Sequence, residues 1–290
     1  MANLKEIKRR IGSVESTRKI TNAMKLVSAA KFARANHAVE NSRPYADSFS
    51  QMVANLVADE SQSFESALLK RREEKKILVV AFSTDRGLCG ALNSNIFKKL
   101  AIFVEEKKEE GIQVDLVAYG RRVISFAKKM DCKLIESAEK IIEKPSIELA
   151  RAIADKLSKR FVDGEYDAIY AIYPRYKSAL EQTPTEEKLL PIDIENSKAP
   201  IDNVVPNLIV EPELSKFIDS LLEKRVVGGV FNILLNGAAS EHGARMTAMD
   251  SATSNAKEVI RKLTLEYNRA RQAAITTELT EIISGAEAIS

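Results

Sequence analysis

Apolar residues at Leu4, Ile7, Ile11 and Val14, and then at Ile20, Met24 and Val27, recur at steps of three and four, the spacing of one face of an α-helix. Neither Gly nor Pro interrupts the chain from Ser13 to Arg43. Between Val14 and Ile20 the pattern passes through Thr17 in two steps of three, which predicts a stammer, a local overwinding of a coiled-coil seam. Pro44 is expected to kink the helix, and Tyr45, Phe49, Met52 and Leu56 carry the period onward, so one helix is predicted over most of residues 3–57. The other end of the chain mirrors it: Met249, Ala252, Ala256, Val259 and Leu263 alternate steps of three and four, continuing through Tyr267, Ala270 and Ala274. At ~1.5 Å per residue the stretch between Gly243 and Gly285 is about 60 Å long, more than a compact domain of this size spans. The period also reaches back through Val230, Leu221 and Phe217, with Gly228 and Gly229 as weak points. The simplest partner for one long helix is the other, which predicts a long antiparallel coiled coil built from residues 1–57 and 211–290.

The middle of the chain has a different pattern. Ile77 to Phe82 is a short, wholly apolar run rich in β-branched residues, as expected of a strand buried on both faces. Val114 to Tyr119, Lys133 to Ile135 and Ala168 to Tyr173 repeat that signal. Helical spacers separate them at about 91–110, 121–130 and 146–162. Alternating strands and helices predict a central Rossmann-like α/β domain over residues 75–210 with a mostly parallel sheet. Six of the eight prolines lie between Tyr173 and Glu213, so an extended, irregular passage is expected there.

Composition narrows the chemistry. The 290 residues are 45% hydrophobic and 29% charged, which excludes wholesale disorder and low-complexity architectures. A net charge of +3 is too small to imply a polyanion partner for the whole chain. Cys89 and Cys132 form no CxxC motif, which argues for a reducing compartment and against a Cys-rich zinc site. With only His37 and His242, a multi-histidine metal centre is impossible and few hydrolase classes remain. No run of about 18 apolar residues occurs, and the N-terminus lacks the apolar core of a signal peptide. The chain is therefore expected neither to span a membrane nor to enter a secretory route.

Several segments could carry function. The loop Ser83-Thr-Asp-Arg-Gly-Leu-Cys-Gly90 stands after a strand and before a helix, where a phosphate-binding turn would sit. It has neither a dinucleotide fingerprint nor the Lys-Ser/Thr of a P-loop. The preferred reading is a sharp turn, permitted by glycine, that presents Asp85 and Arg86 to a partner. Residues 1–43 hold ten Lys and Arg against three Glu. Their scatter around the helix and the single aromatic, Phe32, favour a solvated helix or an acidic protein partner over nucleic acid. Glu241 and His242 are adjacent, so on a helix they point about 100° apart and form no acid–base pair. Near the C-terminus Arg269, Arg271, Gln272, Thr276, Thr277 and Glu278 decorate an Ala-rich helix, suited to a surrounding collar of protein.

Four stretches together resemble the gamma subunits of F-type ATP synthases: Ile7 to Lys31, Thr84 to Gly90, Glu241 to Met246, and Tyr267 to Ala286. The resemblance spans the whole length. It implies a non-catalytic central rotor, with no cofactor or metal of its own. The paired helices would stand inside a ring of three alpha and three beta subunits, with the α/β domain below, against the epsilon subunit and the membrane c-ring. By carry-over, Arg245, Arg271, Gln272 and Thr276 match polar positions that engage loops of beta, with Glu278 their neighbour. Arg86 matches a basic position facing an acidic segment of beta, a region that Met24 and Lys25 also meet, and Glu211 falls where the rotor foot approaches the c-ring. No Cys pair lies between Pro191 and Pro212, unlike the thiol-regulated chloroplast form. The resemblance thus implies a bacterial subunit, peripheral on the cytoplasmic face of the plasma membrane. Two alternatives stay open on sequence alone: a nucleotide-binding α/β enzyme, and a basic coiled-coil protein that binds nucleic acid.

Overall fold

The computed structural model describes residues 4–57, 66–193 and 214–287. In chain order its elements are α1 (Leu4–Val57), a 3-10 turn (Ala67–Leu69), β1 (Lys76–Phe82), α2 (Leu92–Glu109), β2 (Gln113–Tyr119) and α3 (Arg121–Ala127). They continue with β3 (Lys133–Ala138), α4 (Ile147–Val162), β4 (Ala168–Tyr176), β5 (Gln182–Leu190) and α5 (Leu214–Glu287). Contacts divide the chain into two compact units, and the division runs through both long helices. One unit is Ala29–Arg245; the other joins α1 up to Ser28 with α5 from Met246 onward.

In the first unit the strands lie in the order β3-β2-β1-β4-β5. The first four are parallel and β5 runs antiparallel to β4. β1 explains the two-sided core. Ile77, Val79 and Ala81 face Ile96, Leu100 and Phe103 of α2 and Val123 of α3. Leu78, Val80 and Phe82 face Ala150, Leu157 and Phe161 of α4, together with Leu222, Val226, Val230 and Leu234 of α5. These six of the seven β1 residues are fully buried, as a continuous apolar run in a parallel sheet requires. The stretch of α5 from Ile218 to Ala238 therefore covers one face of this sheet, and is more than a coiled-coil strand. Within the same unit Val39 of α1 packs with Leu235 and Ala239, and Phe32 meets Tyr176 edge to face at 5.7 Å.

β5 departs from the expectation of an irregular passage after Tyr173. Its run Gln-Thr-Pro-Thr-Glu-Glu-Lys-Leu-Leu contains a proline and three charges, and its apolar residues come only at the end. As the edge strand it needs hydrogen bonds on one side only, where Pro184 is tolerated.

In the second unit Thr21 Oγ1 stands 2.8 Å from Thr253 Oγ1, and Lys25 Nζ stands 2.6 Å from Asp250 Oδ1. Numbers rise on α1 as they fall on α5, so the helices are antiparallel. The seam is not the one expected. Ile7, Ile11, Val14, Arg18, Thr21, Lys25 and Ser28 of α1 are covered, with Leu4 and Met24 partly covered beside them, an unbroken heptad alternation that passes Thr17 by, so there is no stammer. Ile20 and Val27 are instead 60% and 58% exposed. On α5 the seam takes Met249, Thr253, Ala256, Ile260, Leu263, Tyr267, Ala270 and Ala274, with Thr253 more deeply covered than Ala252 and Val259 turned outward. Beyond Ala274 every residue to Ala286 is exposed.

Candidate functional site

The strand order reverses between β1 and β4, since β2 and β3 lie on one side of β1 and β4 and β5 on the other. Open α/β sheets hold ligands beyond the carboxyl ends of their strands at such a switch. Here the loop after β1, Ser83 to Gly90, occupies that place. Ser83 N–H donates to the Tyr119 carbonyl at 2.8 Å, and Ser83 Oγ accepts from Val123 N–H at 2.8 Å. Gly120 allows the close approach. Its φ is +108°, and a Cβ there would lie 2.1 Å from the Ser83 carbonyl oxygen. Thr84 Oγ1 donates to the Arg86 carbonyl at 2.6 Å and accepts from Asn93 Nδ2 at 2.8 Å, folding the turn back on the start of α2. Leu88 sits at φ +63° and Gly90 at φ +58°. Leu88 is 61% exposed nonetheless, an arrangement that needs its surroundings to hold it. Cys89 is buried beneath the turn, and burial pushes its thiol up from the ordinary value.

Asp85 and Arg86, the two residues expected at the surface of the turn, differ in their surroundings. Arg86 is exposed, whereas Asp85 is half-buried and its carboxylate accepts from Arg121 N–H and Lys140 N–H at 3.0 Å each.

α5 of the same unit bridges this turn and the end of β4. Arg245 Nη2 lies 2.7 Å from Glu241 Oε1. Arg245 Nε and Nη2 each donate to the Gly87 carbonyl over a long 3.4 Å. Ser240 Oγ donates to the Pro174 carbonyl at 3.1 Å, and Asn236 Oδ1 accepts from Tyr176 N–H at 3.0 Å. The crevice at the switch is thus crossed by the chain's own helix. Arg245 and Glu241 are both 8% exposed. Burial raises the Glu241 carboxyl above its usual range, with Arg245 opposing. Burial lowers His242 to about 4, aided by the Arg245 and Lys31 charges, and its Nδ1 has no hydrogen-bond partner among the described residues. His242 is therefore neutral at pH 7.

The predicted site residues fall into three groups. Arg86 and Arg245 come together through Gly87. Lys25 pairs with Asp250 on the facing helix, beside a half-covered Met24. Arg271, Gln272, Thr276 and Glu278 all stand exposed at the far end of α5, where Thr276 Oγ1 donates to the Gln272 carbonyl at 2.9 Å. Glu211 lies outside the described residues. Sequence reasoning missed the Glu241–Arg245 pair, although a Glu four positions before an Arg on a helix is the signal for it. It also missed Asp250 and the Thr21–Thr253 contact, which depend on register between elements. Among the described residues no group of three His, Cys, Asp or Glu side chains is placed to hold a metal ion.

A family model described as ATP synthase matches residues 3–289. The ATP synthase gamma chain of Geobacter metallireducens is 45% identical over 289 residues, covering 100% of this chain and 99% of its own. That of Paracoccus denitrificans is 42% identical over 293 residues, covering 100% of both. Among solved structures, a chain from the central stalk and c-ring of Tetrahymena thermophila mitochondrial ATP synthase superposes with a TM-score of 0.62 at 27% identity, covering 80% of this chain and 99% of that one. A chain from the Euglena gracilis mitochondrial enzyme gives a TM-score of 0.68 at 18% identity, covering 99% and 94%, a likeness of fold. With relatives this similar over their whole length, the chain belongs to the ATP synthase gamma chain family.

Proposed function

We propose that this chain is the central-stalk rotor of an F-type ATP synthase, coupling ion flow through a c-ring to ATP synthesis and hydrolysis in a ring of three alpha and three beta subunits. The observation that carries the reading is the second unit. Two antiparallel helices are held by a continuous seam, and α5 runs on past it as a single helix with every residue from Ile275 to Ala286 exposed. An exposed helix carrying Ile275, Leu279, Ile282 and Ile283 is suited to a surrounding sleeve of protein. The chain supplies no catalytic group; it acts by position. As the shaft turns, each beta subunit meets a different face of it, and these differential contacts shift each nucleotide site between affinities.

In this reading residues 1–57 and 211–290 form the shaft and residues 75–210 the body at its foot, against the epsilon subunit and c-ring. Met24, Lys25, Arg86, Arg271, Gln272, Thr276 and Glu278 contact beta, and Glu211 approaches the c-ring. Arg245 contacts beta as well, its Nε and Nη2 being held by Glu241 and the Gly87 carbonyl. No described helix is long and apolar enough to cross a membrane, and the proposed place is peripheral, on the cytoplasmic side.

Mixing the chain with purified bacterial alpha and beta subunits tests the reading. The expected result is a 3:3:1 complex whose ATPase turnover falls roughly tenfold when Arg271 and Gln272 are both replaced by Ala. A chain that stays monomeric beside competent partners contradicts it.

A further inference from the structure

Half-buried Asp85 stands in the turn next to the exposed Arg86. Its two carboxylate oxygens accept from backbone N–H groups on two other loops, one oxygen each: Arg121, the first residue of α3, and Lys140, in the turn after β3. Gly120, the residue before α3, has no side chain with which to cap that helix, so the cap comes from a different loop. Lys140 sits at φ +62°, a conformation that a residue with a Cβ keeps only when its surroundings enforce it. Just before Asp85 the backbone is tied to the end of β2 and the start of α3, Ser83 N–H to the Tyr119 carbonyl and Arg122 N–H to the Thr84 carbonyl. The ends of three strands are thereby joined through one carboxylate. The next residue along the chain is the exposed Arg86, followed closely by the exposed Leu88.

We infer that Asp85 is a positioning residue: by capping α3 and pinning Lys140 it fixes the direction in which Arg86 leaves the carboxyl end of β1, and so sets the contact Arg86 makes with the beta subunit. This rests on the rotor reading, because the contact of Arg86 belongs to it. The carboxylate makes a poor direct contact, since both oxygens are already satisfied by amides. Its charge strengthens both hydrogen bonds. Asn at position 85 would offer only one acceptor to two N–H groups.

The test is a double-mutant cycle in the alpha–beta–gamma complex, comparing ATPase turnover for the wild-type chain, Asp85→Asn, Arg86→Ala and the double variant. Amide exchange on the full-length chain accompanies it, and the Arg121 and Lys140 amides are expected to exchange roughly tenfold faster in Asp85→Asn. Turnover is expected to fall severalfold when Asp85→Asn is made beside Arg86, and not to fall further when Arg86 is already Ala. Should Asp85→Asn fold poorly, Asp85→Glu keeps the charge while misplacing one oxygen, and the same dependence on Arg86 is expected of it. Equal losses in both backgrounds, or none in either, overturn the inference, leaving Asp85 a support of the fold alone. A wild-type chain that adds no turnover removes the rotor reading itself, a separate failure visible before any variant is made.

Discussion

Thr21 and Thr253 meet hydroxyl to hydroxyl inside the helix seam, and Thr253 Oγ1 also lies 2.7 Å from the Met249 carbonyl. A buried hydroxyl left with fewer partners costs about 1 kcal/mol, whereas replacing both members by an apolar residue of similar shape is close to neutral. Thr21→Val and Thr253→Val are each expected to lower stability by about that amount, and the pair together by less than the sum, as read by urea denaturation. His242 makes a different prediction. Its pKa falls from 6.5 to about 4 on folding, so the unfolded chain binds a proton in the window between those values and the folded chain does not. Its contribution to stability is complete above about 6.5 and is lost as pH falls towards 4. Melting temperatures of the wild-type chain are therefore expected to drop more steeply than those of His242→Gln over that window. Equal slopes contradict the assignment of a half-buried, neutral His242.

At the scale of elements, the most demanding position is the junction of β2 with α3. A Cβ at Gly120 would lie 2.1 Å from the Ser83 carbonyl, at φ +108°, so both sterics and backbone conformation oppose a side chain. Gly120→Ala is expected to cost several kcal/mol, ~3 or more, and thermal melting checks it. The elements also differ in how legible they were. β1 was plain because a strand buried on both faces needs an unbroken apolar run, and both long helices were plain from their period. β5 was hidden because an edge strand tolerates Pro184 and a charged outer side. The seam of α1 was misread for a related reason. Ile20 and Val27 look like core from the sequence, yet the facing helix takes Thr21, whose hydroxyl meets that of Thr253 across the seam, and Ser28 is buried. Apolar residues shown to the outside of a helix pair mislead a reading that assumes the chain contains its own partner. The turn at Asp85 and the Glu241–Arg245 pair follow the same logic. Their residues were visible and their partners were not, since Arg121, Lys140 and Gly87 come near only once the sheet forms.

For the whole molecule, the two compact units divide the work. One is an α/β body whose switch-point crevice is crossed by its own last helix, which removes the place where a nucleotide enzyme on this fold would bind its ligand. The other is a helix pair with its heptad seam turned inward and the apolar residues Ile20, Leu26 and Val27 turned outward. A chain that acts by turning needs such a division, with internal contacts that resist twist and external faces that differ around the axis. Rotation itself is the central claim. The most direct test attaches a bead to the chain through Glu109→Cys, an exposed position at the end of α2, in a surface-fixed complex with alpha and beta subunits supplied with ATP. The account predicts unidirectional turning of the bead with three pauses per revolution. ATP hydrolysis with a bead that stays fixed, or only fluctuates about one angle, would contradict it.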